Sequence, residues 1–468
     1  MKILNYIREK TGKRYDHISE MTHEEGGFGR LYKAVDTERQ NREVCIKVIK
    51  PNLSKELQMK LWNEENQALE LYRNRSGIVH LADKQYQFER DDPYWFLVME
   101  YVHGERLGSS KYRIELDVAR DEAILIIFQL CSVIYSIHQR GRYHQDIFPD
   151  NIKMHGGDVI LLDLGGMREA ERRSGTIIFG GEMYSPPEVS PTHLRMKRFR
   201  ELRKQKMGSF ESADIFSIGA LFYELLLGQS FFENIEQSNL LKEYIYDYYT
   251  NPLGMTGMKQ EYDDAVDQVK QNVKNFERFL ISYDLPEDLC AAAGLTLSVY
   301  PQQRPTIEAF LARFLPFMLN KGKACFQRND FQNTVLWIKY LEKHFDEIQL
   351  ESTSNDISFA KKMEQHLLAH VPLYIETCLL RGLVQFHQEL FDAAQRSFLK
   401  ARHLLERYSD GCSDVQRSSY LVKAAANIAA CLYKTQHKSE ACHLYNSLST
   451  AQADLGRIIQ HNLHVCSA

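Results

Sequence analysis

The spacing of apolar positions changes near residue 316, and with it the structure that the chain predicts. Beyond that point the apolar residues follow helical periodicity, with almost no proline and little glycine, which predicts an all-helical region. Earlier, the four apolar residues Val159–Leu162 predict a short buried strand that ends by presenting the carboxylate of Asp163. The longest apolar run, around Ala123–Phe128, falls far short of the roughly 20 residues that a membrane-spanning helix needs. Between Thr192 and Lys206, the apolar residues Leu194, Met196, Phe199 and Leu202 are set among seven basic residues and one acidic one. That is the pattern of a basic amphipathic helix. Its plain reading is a solvated insertion, and its sharper reading is docking of an acidic protein partner, with anionic lipid or nucleic acid as lesser options.

The strand ending at Asp163 matters because of what precedes it. Residues 144–151 read H-Q-D-I-F-P-D-N, so Asp146, Asn151 and Asp163 stand at the spacing of a phosphoryl-transfer site. One carboxylate can orient a substrate hydroxyl, while an amide and a second carboxylate hold Mg²⁺ against a nucleotide.

Around these residues the chain resembles the eukaryotic-type protein kinases. Residues 24–35, E-E-G-G-F-G-R-L-Y-K-A-V, resemble the glycine-rich hairpin over ATP phosphates, with Gly26, Gly27 and Gly29 in place and Glu24 where the first glycine would stand. Residues 44–47, V-C-I-K, match the strand that carries the phosphate-binding lysine, here Lys47. Residues 63–79 resemble the helix that supplies its carboxylate partner, for which Glu65 fits the spacing best and Glu64 is the neighbouring alternative. Residues 94–104 resemble the last small-lobe strand and the hinge. The resemblance implies that Met99 backs the adenine pocket and that backbone groups of Glu100 and Val102 bond the adenine edge. Downstream, Y-S-P-P-E ending at Glu188 resembles the close of the activation segment. The stretch from Ser212 to Gly219 resembles the D-x-W-S-x-G helix, and Arg304 stands where the family has the partner of Glu188. On the same ground His144 is expected to pack rather than donate protons, and Asp214 to tie down the backbone of the catalytic loop.

Departures from the family pattern bear on rate and acceptor. Gln145 replaces an arginine that usually grips an activation-loop phosphate, although Ser174 and Thr176 lie in that segment. Phe148 replaces a lysine that touches the γ-phosphate, and Gly181 replaces a threonine that bonds the catalytic aspartate. The resemblance therefore implies an ATP- and Mg²⁺-dependent protein kinase, Ser/Thr-directed. The alternative is a pseudokinase scaffold that binds nucleotide without efficient turnover. A small-molecule kinase shares the H-x-D…N…D core but lacks the P-P-E, D-x-F-S-x-G and R-P-T elements present here, and ranks last.

In the helical region, Leu380–Ala401 resembles a tetratricopeptide repeat, in which small residues let paired helices pack closely. Related copies centre on Ala429 and Gly322. The offsets, 60 residues from Gly322 to Gly382 and 47 from Gly382 to Ala429, exceed the standard period of about 34. Either the helices are longer than standard, or an extra helix over Ser358–His370 intervenes; the plain alternative is a generic helical bundle. Helix pairs stacked in series present a concave face for a peptide or protein ligand.

Composition adds bounds. A net charge of −4 over 468 residues points to neither nucleic acid nor membrane, and nine cysteines without a C-x-x-C pair fit reduced thiols. A cytoplasmic protein is the expectation. The fold class expected is α+β. A bilobal protein kinase fold, with a small β-rich lobe over 15–102 and a large helical lobe over 103–316, follows an N-terminal extension over 1–14. The basic insertion lies near 192–206, and an all-α helical-repeat domain covers 317–468.

Overall fold

The computed structural model describes residues 2–21, 29–83, 85–108, 120–169, 183–188, 210–250 and 259–448. Glu24, Gly26, Gly27, Ser174, Thr176, Gly181 and the basic segment 192–206 lie outside these described residues. The chain divides into two compact units, Met1–Phe310 and Leu311–Ala468.

The first unit opens with helix α1 (Lys2–Lys10) and an antiparallel sheet of β1 (Tyr15–Glu20), β2 (Gly29–Asp36), β3 (Arg42–Ile49) and β4 (Phe96–Glu100), in that order. Side chains alternate along a strand. Val44, Ile46 and Val48 of β3 therefore share one face and enter a core with Tyr15, Tyr32, Phe96 and Val98. Ile7 of α1 joins the same core, while Tyr6 and Lys10 bond Asp92 at 2.7 and 2.9 Å. The alternation sends Cys45 and Lys47 to the opposite face, paired with Met99 and Leu97 of β4. Helix α2 (Lys55–Leu71) starts at Ser54, whose hydroxyl accepts from the Leu57 N–H, and is anchored to the sheet where Trp62 Nε1 donates to the Phe96 carbonyl at 2.8 Å.

A short strand β5 (Glu105–Arg106) leads to α3 (Arg120–Gln139), which is buried on all sides from Ala123 to His138. The run Ala123–Phe128 is thus part of a longer apolar helix than the local pattern suggested. α3 and Ile357–His387 are each long and apolar enough to cross a membrane, with mean hydropathy 1.4 over 18 residues, but 89% and 56% of those windows are buried inside the fold. Packing in a core accounts for that apolarity. After α3 come β6 (Arg142–Tyr143), β7 (Ile152–His155), β8 (Asp158–Leu161) and β9 (Arg168–Glu169); β5, β7 and β8 form one small sheet, β6 and β9 another. Helices α4 (Phe210–Leu227), α5 (Ile235–Thr250), α6 (Lys259–Ile281) and α7 (Glu287–Thr296) complete the unit.

Helix α8 (Ile307–Gln327) carries the boundary, and α9 (Phe331–Glu351), α10 (Ile357–His387), α11 (Phe391–Arg407), α12 (Asp414–Lys434) and α13 (Lys438–Leu448) follow. From α9 onward each helix packs on the next in sequence. The long repeat offsets come from helix length: Ser358–His370 is the first half of the 31-residue α10, which runs on through Pro372 rather than ending there. A Cβ on Gly382 would lie 2.5 Å from the Phe398 ring, so glycine is what lets α10 and α11 approach. Seven cysteines among the described residues are free.

Within the first unit, Arg304 grips Glu188 through two parallel bonds of 2.6 and 2.9 Å, both side chains being almost fully buried. Removing one partner leaves an unpaired buried charge. Arg304→Ala should therefore cost about 3–5 kcal/mol of stability, measured by denaturant unfolding at neutral pH. A loss below about 1 kcal/mol would place the pair among weak surface bridges instead.

Candidate active site

Lys47 is held on β3 with its Nζ donating to Glu65 Oε1 at 2.7 Å and to Asp163 Oδ1 at 2.8 Å. Of the two adjacent carboxylates on α2, Glu65 turns inward to Lys47, whereas Glu64 stands 3.9 Å from Lys60 near the surface. Asp163 follows β8 in a left-handed conformation, φ 48°, and accepts from the Gly165 N–H at 3.1 Å. A Cβ on Gly165 would sit 3.1 Å from Asp163 Oδ1 and 3.2 Å from Glu65 Oε2. Glycine there lets the turn lie against α2, with Leu164 buried beneath it.

These contacts set the charges. Burial disfavours the Lys47 ammonium, but Asp163 and Glu65 outweigh it and hold its pKa above the ordinary lysine value. Burial would raise Asp163, yet Lys47 and the Gly165 N–H keep it below the usual carboxylate range. Glu65 is pushed up to about 7 by burial, with Asp163 adding to the shift and Lys47 opposing it. One ammonium thus serves two carboxylates, and Asp163 holds its charge more firmly.

The catalytic loop is pinned from below. Asp214 of α4 accepts the backbone N–H groups of His144 and Gln145, each at 2.7 Å, and the Nε2–H of His138 at 2.8 Å. Gln145, in a left-handed conformation of φ 66°, turns its amide inward to the Phe210 carbonyl and Asp214. Its amide nitrogen is therefore engaged by α4. Asp146 Oδ2 accepts from Asn151 Nδ2 at 2.8 Å, and the same amide donates to the Asp146 carbonyl at 3.0 Å. Burial, reinforced by the charge of Asp163, pushes Asp146 up to about 7. Phe148 faces a separate cavity with Asp150, Tyr184 and Glu224. His138 was not singled out from sequence. Its signal was a polar residue on a helix buried all round, which must find a partner.

Above the loop lies a cleft of about 680 Å³, lined by Gly29, Leu31, Cys45, Val79, Met99 and Leu162, with Lys47, Asn151 and Asp163 at its deep end. Because Ile49 N–H bonds the Trp95 carbonyl, the odd-numbered pairs of β3 and β4 face each other, and the backbone of Glu100 points away from β3. Its N–H donates to the His80 carbonyl at 2.9 Å, while its carbonyl has no partner among the described residues. The Val102 N–H likewise has none. The hinge thus offers the cleft an acceptor and then a donor.

The donor set also bears on a metal. Asn151 Oδ1 and Asp163 Oδ2 take no hydrogen bond from the described residues, whose only bonds run to the other atoms of these groups. No group of three or more His, Cys, Asp or Glu able to hold a metal occurs among the described residues. Two oxygens suit Mg²⁺, which keeps few protein ligands and completes its shell with phosphate and water.

Residues 23–314 match the family described as "Protein kinase domain". The chain is 30% identical over 203 residues to Serine/threonine-protein kinase D of Synechocystis sp., covering 42% of this chain and 37% of that one. It is 27% identical over 223 residues to the probable serine/threonine-protein kinase FMP48 of Saccharomyces cerevisiae (44% and 58%), and 25% identical over 217 residues to an Aurora kinase of Dictyostelium discoideum (46% and 51%). The chain covers less than two thirds of each of these relatives.

The raised carboxyl of Asp146 makes a signed prediction. Its folded pKa exceeds that of an unfolded aspartate, so the folded state binds more protons in between, and stability falls as pH rises from about 4 to 7. Asp146→Asn removes that cost. It should raise the Tm at pH 8 relative to the unsubstituted chain and leave it nearly unchanged at pH 4, measured by calorimetry. An equal shift at both pH values would assign the effect to packing.

Proposed function

The chain belongs to the protein kinase family, and from that premise we propose that it transfers the γ-phosphate of Mg²⁺-bound ATP to hydroxyls of protein substrates, chiefly Ser and Thr. The observation that carries the reading is the convergence of Lys47, Glu65 and Asp163 at one end of the cleft with the Asp146–Asn151 pair beside it. Lys47 would bind phosphate oxygens, and Glu65 would keep its chain extended toward them. The Glu100 carbonyl and Val102 N–H suit the amino group and ring nitrogen of adenine, with Met99 behind. Asp146, poised near neutral pH, is matched to accept a hydroxyl proton. Asn151 Oδ1 and Asp163 Oδ2 would hold Mg²⁺, which supplies charge stabilisation to the phosphates when bound.

The second reading, a nucleotide-binding scaffold with little turnover, draws on Phe148, which brings no cation beside Asp146. The inward amide of Gln145 also argues against control through that residue by a loop phosphate. One pair of substitutions separates the readings. Asp146→Asn should lower transfer by roughly 10²–10⁴, the worth of a positioned base, and spare nucleotide binding. Asp163→Ala should abolish transfer. Wild-type transfer no faster than that of Asp146→Asn would favour the scaffold.

For the second unit we propose recruitment of a peptide or protein substrate. Serially packed helices support this, as do the exposed apolar residues Leu336, Leu399 and Val415. The basic segment 192–206 is a candidate dock for an acidic partner on charge alone. Leu336→Asp with Leu399→Asp should leave autophosphorylation intact and weaken phosphorylation of the partner protein. Unchanged phosphorylation of that partner would leave these faces without a recruiting role.

A further inference from the structure

The loop before β4 turns at residues 90–91 in full exposure, yet the residue after the turn, Asp92, is gripped by two helices. Tyr6 and Lys10 of α1 bond its carboxylate, which also accepts the Glu89 N–H at 2.7 Å. Lys55, in the first turn of α2, donates through Nζ to the Asp92 carbonyl at 2.6 Å and to the Pro93 carbonyl at 3.3 Å, while Glu56 pairs with Arg90. Ring contacts run the same way. Lys10 lies 5.3 Å over Phe88, and Phe88 stacks on Trp95 at 5.4 Å. Both of those rings meet Trp62 of α2, at 5.6 and 5.7 Å. Lys55 and Trp62 are seven residues apart and so share a face of α2. Glu65 stands three positions beyond Trp62, next to it on the helix surface.

Helix α1 precedes the stretch that matches the kinase family, so its grip on Asp92 lies outside the shared pattern. Resting on the nucleotide reading above, we propose that Asp92 is a positioning residue for phosphate binding. α1 holds Asp92, Asp92 and the neighbouring rings hold α2, and α2 holds Glu65 on Lys47. An exposed loop tip left to itself is mobile, and a mobile tip cannot orient a helix. The two bonds from α1 fix this one. The consequence reaches the cleft because Lys47 has a second partner, Asp163, at 2.8 Å. When α2 drifts outward, the ammonium is drawn to Asp163 alone and away from the place where phosphate oxygens would meet it.

The test titrates the full-length chain with MgATP and reads the dissociation constant, which needs no turnover. Tyr6→Phe with Lys10→Met keeps both packing surfaces and removes both bonds from α1 to Asp92. It should weaken MgATP at least about tenfold, the scale of one hydrogen bond to a charged group, and Lys55→Met should do the same from the side of α2. Lys10→Arg, which keeps a charged donor for Asp92, should bind as the wild type does. The deciding readout is the same double variant placed in Glu65→Gln. With the Glu65 carboxylate gone, releasing α1 should cost no more than about twofold further, whereas a plain loss of packing adds in full. Tyr6→Phe alone, the milder change, replaces the double variant if the latter does not fold at the assay temperature. MgATP affinity unchanged in the folded variant, or weakened equally with and without Glu65→Gln, would overturn the proposal. A wild type that binds no MgATP would instead sink the nucleotide reading, and this inference with it.

Discussion

One buried ammonium joins parts of the chain that lie far apart in sequence. Lys47 on β3 bonds Glu65, 18 positions on, and Asp163, 116 positions on, and its side chain is almost wholly out of water. An ion buried so deeply is tolerable only while its partners stay in place, since loss of one leaves a charge that costs about 3–5 kcal/mol. The orientation of α2, the left-handed turn at Asp163 and the glycine that follows it are therefore coupled. Whatever moves one of them disturbs the deep end of the cleft. A second anchor, Asp214, gathers the backbone of His144 and Gln145 together with the His138 ring, and so fixes Asp146 relative to that end.

The two anchors divide the labour between stability and chemistry. Asp214 is satisfied by several donors, whereas Asp146, a few residues away, has its carboxyl raised by burial and by the neighbouring charge of Asp163. The fold thus holds a carboxylate where folding alone would prefer a neutral side chain. Such local conflicts gather at functional sites, where the surrounding structure over-determines them.

Much of this was legible in the sequence, and the reasons are local. Asp146, Asn151 and Asp163 lie on short segments whose spacing is set by one loop and one hairpin, so their meeting follows from a few residues of context. Lys47 was legible because period-two alternation in V-C-I-K assigns its face. Glu65 was less so: it and Glu64 are neighbours on one helix, and only the docking of α2 decides which turns inward. The inward turn of Gln145 and the role of His138 depend on Asp214, about 70 positions later in the chain, and no local pattern encodes that contact. In the helical unit, Ser358–His370 read as a possible separate helix, but the helix runs on through Pro372 to His387, because a single missing N–H is outweighed by burial along its length.

The Lys47 cluster is proposed to handle phosphate, and not merely to brace the core. Incubation of the full-length chain with γ-labelled ATP and Mg²⁺, beside a Lys47→Met variant shown to be folded, tests it most directly. Label should pass to protein hydroxyls with the wild type, and none above background with Lys47→Met. Equal transfer by the folded variant, or none by the wild type, would contradict it.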